Sequence, residues 1–320
     1  MSDRVTSPFG ARSTAGEVAA GHDLTGQNVI VTGGASGIGI ETAHALAEAG
    51  AAVTLAVRNL SSGEQAAAEI DGGRGVKTSV ASLDLSDLAS VRAFAGAWNG
   101  KPLALLINNA GVMACPLSYT KDDLEMQIGT NHFGHYLLSV LLAPALIAGG
   151  EGRGRPARVV ALSSIGHRRS PVHFDDPNYR RRAYDKWEAY GQSKTANALF
   201  AVGFHKRFKE KGITANSVMP GGIMTPLQRH LSREEMIGFG WMDEAGTLND
   251  RFKTPEQGAA TSIWAALAPE LEGVGGLYLE DCAQAAPWTK ESPFSGVMPF
   301  ALDPEAADRL WTLSESTTGA

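Results

Sequence analysis

VIVTGGASGIG, residues 29–39, runs from four apolar or β-branched residues directly into a turn with glycines at positions 33, 37 and 39. Residues 41–50 then have the composition of a helix that a glycine ends. A strand, a glycine turn and a helix in this order present free backbone N–H groups, which bind a nucleotide phosphate. The same glycine pattern also fits a tight turn that binds nothing. The choice between the two depends on the rest of the chain.

Strand and helix patterns alternate along the chain. Continuous apolar runs are typical of strands that are buried on both faces, and helical patterns separate them. Strict alternation predicts right-handed βαβ units, so we expect an α/β fold: a single domain with a Rossmann-type doubly wound parallel β-sheet and helices on both faces. Further strands are predicted at 52–57, 76–81, 103–107, 158–162, 213–218 and 275–279, and long helices at 131–147 and 188–211.

Composition excludes several classes of function. The net charge of −6 argues against a nucleic-acid partner, because there is no basic excess to replace counterions. The two cysteines, Cys115 and Cys282, have no metal-site spacing and form no disulfide framework, so a reducing, cytoplasmic setting is expected. No apolar run approaches the roughly 20 residues that a membrane helix needs, so we expect no membrane partner.

The domain is expected to span residues 26–320, preceded by a lead-in segment, 1–25, that lacks the apolar run of a signal peptide. Two segments, 166–187 and 225–250, break the alternation and are predicted to cover the substrate. The first has two basic clusters with aromatics, but aspartates lie among them, which favours a surface loop over a nucleic-acid patch. The second could equally be core packing; its apolar candidates for a lid are Met224, Leu227, Met236, Phe239, Trp241 and Met242.

Motifs in a fixed order then identify a family. They are TGGASGIG at 32–39, Asp84, NNAG at 108–111, Asn131, Ser164, Tyr190 with Lys194, and Pro220-Gly221. With all of them in this order, the chain resembles the short-chain dehydrogenase/reductases (SDR). The stretches TNHFGHYLL at 130–138 and AYGQSKTAN at 189–197 resemble the retinol dehydrogenase and WW-domain oxidoreductase branch.

Tyr190 and Lys194 are the predicted centre of the chemistry. They lie four residues apart on a predicted helix, so their side chains share one face. A tyrosine titrates at about pH 10, and a neighbouring ammonium group lowers that pKa by stabilising the phenolate. Tyr190 is therefore the predicted general acid for a carbonyl oxygen, or the general base for an alcohol.

The resemblance supplies the other catalytic roles. Ser164 would orient the reacting oxygen; it is preferred to Ser163 because the family pattern uses the second serine. Asn131 would hold a water or a backbone link that relays a proton from Lys194. Taken singly, these residues also fit a strand-end turn, a helix cap and a helix-surface pair, so the prediction rests on their joint occurrence.

The residue after the second strand predicts the cofactor. NAD-specific members of this fold place an acidic residue there to bind the ribose hydroxyls, whereas here Val57 is followed by Arg58. An arginine fork binds a 2′-phosphate, so NADP(H) is expected over NAD(H); the alternative is a surface ion pair of Arg58. The complete predicted cofactor set is Gly33, Ser36, Gly37, Ile38, Gly39, Arg58, Asp84, Leu85, Asn109, Ala110, Gly111, Tyr190, Lys194, Pro220, Gly221 and Thr225, and Asn108 is expected to bond across strands.

No metal is expected. His132, His135, His167 and His173 fall on different predicted elements, which favours packing or capping roles. The resemblance implies an NADP(H)-dependent oxidoreductase that interconverts an aldehyde or ketone and an alcohol by hydride transfer, acting on a small apolar molecule. Two alternatives stay open: a double-bond reductase like the related protochlorophyllide reductases, and a catalytically idle NADP(H)-sensing protein. Because many relatives pair their equivalents of helices 131–147 and 188–211, a homodimer or homotetramer is expected by analogy.

Overall fold

The computed structural model describes residues 4–72 and 78–320. The strands are β1 Asn28–Thr32, β2 Ala52–Val57, β3 Ser79–Ser82, β4 Leu105–Asn108, β5 Ala157–Leu162, β6 Ile213–Met219, β7 Gly222–Ile223, β8 Phe252–Lys253, β9 Tyr278–Glu280 and β10 Ala283–Gln284. Eight of them form one sheet in the order β10-β9-β6-β5-β4-β1-β2-β3, in which only the pair of β10 with β9 is antiparallel. The expected doubly wound parallel sheet is confirmed.

Helices cover both faces of this sheet. They are α1 Ala15–Ala19, α2 Gly37–Glu48, α3 Leu60–Asp71, α4 Leu88–Trp98, α5 Met126–Ile128, α6 Gly134–Leu141, α7 Ala143–Arg153, α8 Lys186–Phe208, α9 Arg233–Gly238, α10 Pro255–Leu267 and α11 Pro304–Thr318. The strand order reverses between the neighbouring strands β1 and β4. From β1 the chain continues to β2 and β3 on one side, and from β4 it continues to β5 and β6 on the other. In such sheets a crevice opens at this point, beyond the carboxyl ends of the strands.

The central strands separate two buried clusters. Val29 and Val31 of β1 lie in one cluster, with side chains of α2 and α10, whereas Ile30 between them lies in the other, with side chains of α4, α6 and α8. All three residues are fully buried. Successive side chains of a strand point to opposite faces, so the unbroken apolar run of β1 follows from burial on both sides.

Three predicted elements differ from the structure. The predicted helix 131–147 is part of a longer helical stretch that begins at Met126 and bends by 56° where α6 meets α7; Pro144 follows directly after this break and cannot continue the backbone ladder. The last predicted strand, 275–279, is short (β9), and the antiparallel β10 after it was not predicted. Of the predicted strand 76–81, residues 76 and 77 lie outside the described residues.

The N-terminal segment is tied to the domain by hydrogen bonds. Ser7 donates to the carbonyl of Cys282 (2.7 Å), and Arg12 donates to the carbonyl of Phe252 (2.9 Å). Thr14 caps α1 in a reciprocal capping box with Glu17. The side chains of α1 then join the buried cluster that contains α10.

At the other end of the chain, α11 lies across α8. Trp311 contacts Phe204 and Tyr136, with ring centroids 6.3 and 5.0 Å away. Lys206 pairs with Asp308 at 2.8 Å. The chain's own last helix thus packs on α8, one of the two helices that pair between subunits in many relatives; the homodimer or homotetramer expected by analogy stays a prediction.

Within residues 4–72 and 78–320, no single helix is long and apolar enough to cross a membrane, although the bent pair Met126–Leu141 and Ala143–Arg153 meets the criteria of length and composition when taken together.

Candidate active site

A cavity of about 1140 Å³ opens where the parallel strands end. Six of the segments that line it begin with the residue directly after a strand: Gly33, Arg58, Leu83, Asn109, Ser163 and Pro220. All of the predicted cofactor residues line it, and so do Ser164, Tyr190 and Lys194. Asn131 is the one predicted catalytic residue that is not among the lining side chains.

The glycine turn brings backbone to the cavity wall. Gly33 and Gly37 have positive φ angles of 64° and 55°, which glycine adopts without strain. A Cβ at Gly39 would lie 2.4 Å from the carbonyl oxygen of Gly33 and 2.5 Å from Nδ2 of Asn109. Ser36 precedes α2, and its side chain makes no capping hydrogen bond. The cavity is therefore bordered by the N-terminus of a helix, as the phosphates of a dinucleotide require.

Arg58 lies at the far end of this wall. It follows Val57, the last residue of β2, is exposed, and makes no ion pair with another described residue. Asn59 beside it caps α3 by accepting from Ser62 N–H. Asp84 accepts from the backbone N–H (2.9 Å) and hydroxyl (2.6 Å) of Ser86. This end of the cavity thus has a guanidinium that can donate to a phosphate and a carboxylate that can accept from a base amino group, so its polar groups fit the adenosine half of a nicotinamide dinucleotide.

A buried relay of hydrogen bonds joins the cavity wall to α6. Thr32 Oγ1 accepts from the backbone N–H groups of Asn109 (2.9 Å) and Ala110 (3.0 Å) and lies 2.8 Å from His135 Nε2. His135 Nδ1 lies 2.9 Å from the carbonyl of Asn131. Because a carbonyl only accepts, the proton resides on Nδ1 and Thr32 donates to Nε2. Burial lowers the pKa of His135 to about 4, so it stays neutral.

Asn108 was expected to bond across strands, and this expectation was wrong. Its side chain donates to Ser139 on α6 at 2.9 Å. The next residue makes the cross-strand bond instead: Asn109 Nδ2 donates to the carbonyl of Thr32 at 2.8 Å. Because side chains alternate along β4, the side chain of Asn108 points towards the helices on one face of the sheet. Asn109 lies beyond the end of the strand and is free to bond to β1.

Tyr190 and Ser164 meet at one end of the cavity. Ser164 Oγ accepts from Gly166 N–H at 3.0 Å. The same side chain acts on the Tyr190 phenol, whose pKa it lowers. A Cβ at Gly166 would lie 2.8 Å from Cε1 of Tyr190. Glycine at 166 therefore allows the turn after β5 to pack on the tyrosine.

Lys194 lies one turn further along α8, as predicted. Its Nζ is 5.7 Å from the centroid of the Tyr190 ring and donates to the carbonyl of Leu162 at 3.0 Å. Burial lowers the pKa of Lys194 to about 8. Burial also raises the pKa of Tyr190 to about 12, while the hydrogen bond from Ser164 opposes this rise. The pKa of Tyr190 is therefore not lowered below the ordinary tyrosine value, as had been expected. Desolvation of the phenol outweighs the effect of the Lys194 ammonium group, which donates to a backbone carbonyl.

Asn131 lies in a π-helical turn, Gly129–Phe133, between α5 and α6. Its Oδ1 accepts from Val112 N–H (2.8 Å), and its Nδ2 donates to the Val112 carbonyl (2.9 Å) and to Ser193 Oγ (2.8 Å). The expected water or backbone link that relays a proton from Lys194 stays a prediction, and no direct hydrogen bond joins Lys194 to this side chain among the described residues. Instead, Asn131 holds the strand-end segment at Val112 against the helix that carries Tyr190.

The other histidines have structural partners. His132 lies 2.7 Å from Ser314 Oγ on α11, and His173 lies 3.1 Å from Ser170 Oγ. His167 Nδ1 lies 2.7 Å from the carbonyl of Ser164, and its Nε2 accepts from Met298 N–H at 3.0 Å. Among the residues that the structure describes, no group of three or more His, Cys, Asp or Glu side chains is arranged to hold a metal ion.

The two segments predicted to cover the substrate contribute unequally. From 166–187, only the two ends line the cavity, with Gly166, Arg168, Arg169 and Trp187; from 225–250, the lining residues are Thr225 to Arg229, Phe239 and Trp241. The middle of the first segment is tied down elsewhere, with Arg180 paired to Asp123 at 2.6 Å and Arg182 paired to Glu188. Its basic clusters are thus partly neutralised by carboxylates.

Several lining residues were not predicted. Among them are Ala11 and Arg12 from the N-terminal segment, Arg251 to Lys253, Asp281, and Ser292 to Ser295. Asp281 belongs to the two-residue β9–β10 turn, where it and Cys282 both have positive φ angles. No local sequence pattern predicts these residues, because the folding of distant parts of the chain brings them to the cavity.

Comparison with known proteins agrees with this architecture. A family model described as short chain dehydrogenase matches residues 27–236. A "Probable oxidoreductase" of Streptomyces lividans is 48% identical over 303 residues, covering 93% of this chain and 99% of that protein. Human retinol dehydrogenase 12 is 40% identical over 294 residues, covering 91% and 86%.

Solved structures give the same result. An uncharacterised protein of Mycobacterium paratuberculosis is 32% identical, with a TM-score of 0.70 over 95% of this chain and 97% of that chain. An active-site complex of Pseudomonas aeruginosa RhlG with NADP is 25% identical, with a TM-score of 0.60 over 81% and 95%. These similarities confirm the predicted resemblance, including that to retinol dehydrogenases. The chain is a member of the short-chain dehydrogenase/reductase family of oxidoreductases.

Proposed function

We propose that this protein is an NADP(H)-dependent oxidoreductase that interconverts an aldehyde or ketone and an alcohol. The observation that carries the proposal is the meeting of Ser164, Tyr190 and Lys194 at one end of a cavity whose other end has the glycine turn and Arg58. A bound nicotinamide would supply the hydride to the carbonyl carbon, or accept it from the alcohol. The residues of the chain handle the oxygen and its proton.

Ser164 positions the oxygen that reacts. Its oxygen accepts from Gly166 N–H, and its side chain acts on the Tyr190 phenol, so a carbonyl oxygen placed between the two hydroxyl groups would accept a hydrogen bond from each. During reduction Tyr190 donates its proton to that oxygen and becomes a phenolate; during oxidation the phenolate takes the proton back. The Lys194 ammonium, 5.7 Å from the tyrosine ring, stabilises the phenolate in either direction.

Arg58 and the absence of a carboxylate at Val57 support NADP(H). A 2′-phosphate beside Arg58 would accept the paired hydrogen bonds of its guanidinium group. The substrate portion of the wall is rich in aromatic side chains, which supports an apolar substrate.

The test is turnover by the wild-type protein and by Tyr190→Phe. We expect the wild type to oxidise NADPH in the presence of aldehydes or ketones, and we expect Tyr190→Phe to lower kcat by about 10²–10⁴-fold, as the loss of a general acid does. NADP binding should persist in the variant, measured by calorimetry. Full activity of Tyr190→Phe would refute the mechanism.

The same assay separates the alternatives. A panel of aldehydes, ketones and enones, followed by product analysis, distinguishes carbonyl reduction from double-bond reduction. A protein that binds NADPH but oxidises none of the panel would instead fit an idle sensor.

A further inference from the structure

The cavity is strongly basic although the protein is acidic. The chain carries a net charge of −6, yet the cavity is lined by eight basic side chains and two acidic ones. The basic residues are Arg12, Arg58, Arg168, Arg169, Lys194, Arg229, Arg251 and Lys253, and the acidic residues are Asp84 and Asp281. Asp281 is itself paired with Lys253 at 2.6 Å. The positive charge is therefore concentrated at the site of reaction.

Only part of this charge is accounted for by the proposed cofactor and by catalysis. Arg58 is at the adenosine end, and Lys194 is beside Tyr190. Around the aromatic residues, Arg168 donates to the carbonyl of Ile165 (3.2 Å) and Arg229 to that of Pro226 (3.1 Å). Arg169 differs from these two because its guanidinium donates no hydrogen bond to another described residue. It lies 5.2 Å from the centroid of the Trp187 ring.

Arg169 is held at a fixed place relative to the reacting groups. It ends the 3₁₀ turn Ile165–Arg169 that begins directly after Ser164. A Cβ at Gly191 would lie 2.9 Å from the Cβ of Arg169 and 2.8 Å from the Gly166 carbonyl oxygen. Gly191 thus lets this turn sit directly on α8, next to Tyr190. The backbone of Arg169 cannot shift without disturbing the catalytic tyrosine.

Trp187 connects the arginine to the tyrosine. Its ring is 6.4 Å from the Tyr190 ring in an edge-on arrangement, and it contacts Phe239 at 5.2 Å and Trp241 at 6.1 Å. An apolar body that lies against these rings with its carbonyl at Tyr190 would extend towards Arg169. The guanidinium is one aromatic ring away from the reacting oxygen.

We propose that the physiological substrate is an acid: an aryl or similarly apolar ketone or aldehyde that carries a carboxylate, which Arg169 recognises. Arg169 is the specificity-determining residue. This inference rests on the proposed carbonyl–alcohol activity and adds the class of substrate. A guanidinium binds a carboxylate through two parallel hydrogen bonds, and Trp187 beneath it shields one face of that pair from water.

The test uses aryl ketones that carry a terminal carboxylate on chains of increasing length, each paired with its methyl ester. We expect kcat/KM with NADPH to be about fivefold higher for the best acid than for its ester, the upper end of what an ion pair open to solvent contributes, because Arg169 is exposed. The preference should shrink as the salt concentration rises, because ions screen a partly exposed pair.

Variants of Arg169 assign the preference. In Arg169→Gln the ratio of acid to ester should fall to about one, and Arg169→Lys, which keeps the charge without the fork, should retain part of it. The matched control is Arg181→Gln, an exposed arginine of the same segment that lies outside the cavity and should keep the wild-type ratio.

Two results would overturn the inference: a ratio near one for the wild type across all chain lengths, or an undiminished preference in Arg169→Gln. In both cases turnover of the esters would leave the carbonyl–alcohol activity standing. If neither acids nor esters are reduced, the proposed function fails as well, so the two failures are distinguishable.

Discussion

The two sides of the cavity are built by different means. The side with the glycine turn and Arg58, which we term the cofactor side, is mainly backbone at strand ends, held by positive-φ glycines and by the Thr32 hydrogen bonds. The other side, which we term the substrate side, is made of side chains from the first turn of α8, the end of α9 and the loop after it: Trp187, Phe239 and Trp241. The backbone of the cofactor side cannot change without moving the sheet, whereas these side chains lie outside the sheet and can be exchanged without altering it.

The largest expected effect comes from a substitution in the glycine turn of the cofactor side. Gly39→Ala places a Cβ 2.4 Å from a backbone oxygen, and such overpacking costs about 1–3 kcal/mol of unfolding free energy. NADP affinity should fall with it, because the helix N-terminus must shift. Denaturant unfolding and calorimetry measure both.

The control for this change is Gly96→Ala. Gly96 lies within α4, where an added Cβ would meet nothing within 4 Å. This variant should gain roughly 0.5–1 kcal/mol, since alanine is the better helix former. Wild-type NADP affinity in Gly39→Ala would contradict the account of a rigid backbone wall.

Lys194 stands where the two sides meet, and its loss should raise stability while removing activity. Because burial lowers its pKa to about 8, the folded protein disfavours the charge that the unfolded chain accepts. The penalty is complete below pH 8 and fades as pH rises towards the unfolded value of about 10.4. At about 1.4 kcal/mol per pH unit, less about 1 kcal/mol for the lost bond to Leu162, Lys194→Met should gain roughly 2 kcal/mol at pH 7.

The pH dependence is the sharper part of this prediction. The stability gain of Lys194→Met should disappear near pH 10 and turn into a small loss above it, because the lost bond to Leu162 then outweighs the fading penalty. The exposed Lys290→Met should match the wild type at every pH. Denaturant titrations at pH 7 and pH 10 measure the difference. A gain that is equal at both values would show that Lys194 is not buried as a disfavoured cation.

A smaller effect tests the choice of nucleotide. Arg58→Gln should weaken NADP binding by about tenfold or more, which corresponds to about 1.4 kcal/mol, and should leave NAD binding nearly unchanged. Binding constants for both nucleotides, measured on both proteins, decide this. Equal losses for NAD and NADP, or an NADH preference in the wild type, would remove the role assigned to Arg58.

The smallest effect tests whether the substrate side is separable. Phe239 is 39% exposed and lies edge-on to Trp187. Phe239→Ala should raise KM for an aryl ketone by a few-fold, on the scale of about 1 kcal/mol for an aromatic contact, without changing NADP affinity. Leu117→Ala, an exposed apolar residue outside the cavity, is the control. A parallel change in NADP affinity would show that the two sides are coupled.

The same contrast explains what the sequence could predict. The glycine turn, Arg58 and the Tyr190–Lys194 pair follow from short-range spacing on a strand end or one helix, and they lie where expected. Arg12 and Asp281 reach the cavity from distant parts of the chain, so no local pattern identifies them.

The pKa of Tyr190 could not be predicted for a related reason. The spacing to Lys194 was correct, but spacing carries no information on desolvation, and the bond from Lys194 Nζ to the Leu162 carbonyl depends on how β5 packs against α8.

The position of α11 has a further consequence. The aromatic contact of Trp311 with Phe204 and the ion pair of Lys206 with Asp308 both lie within one chain. Because these contacts form without a second molecule, dilution cannot separate their partners. Trp311→Ala should accordingly lower the thermal midpoint by a similar amount at micromolar and at nanomolar concentration.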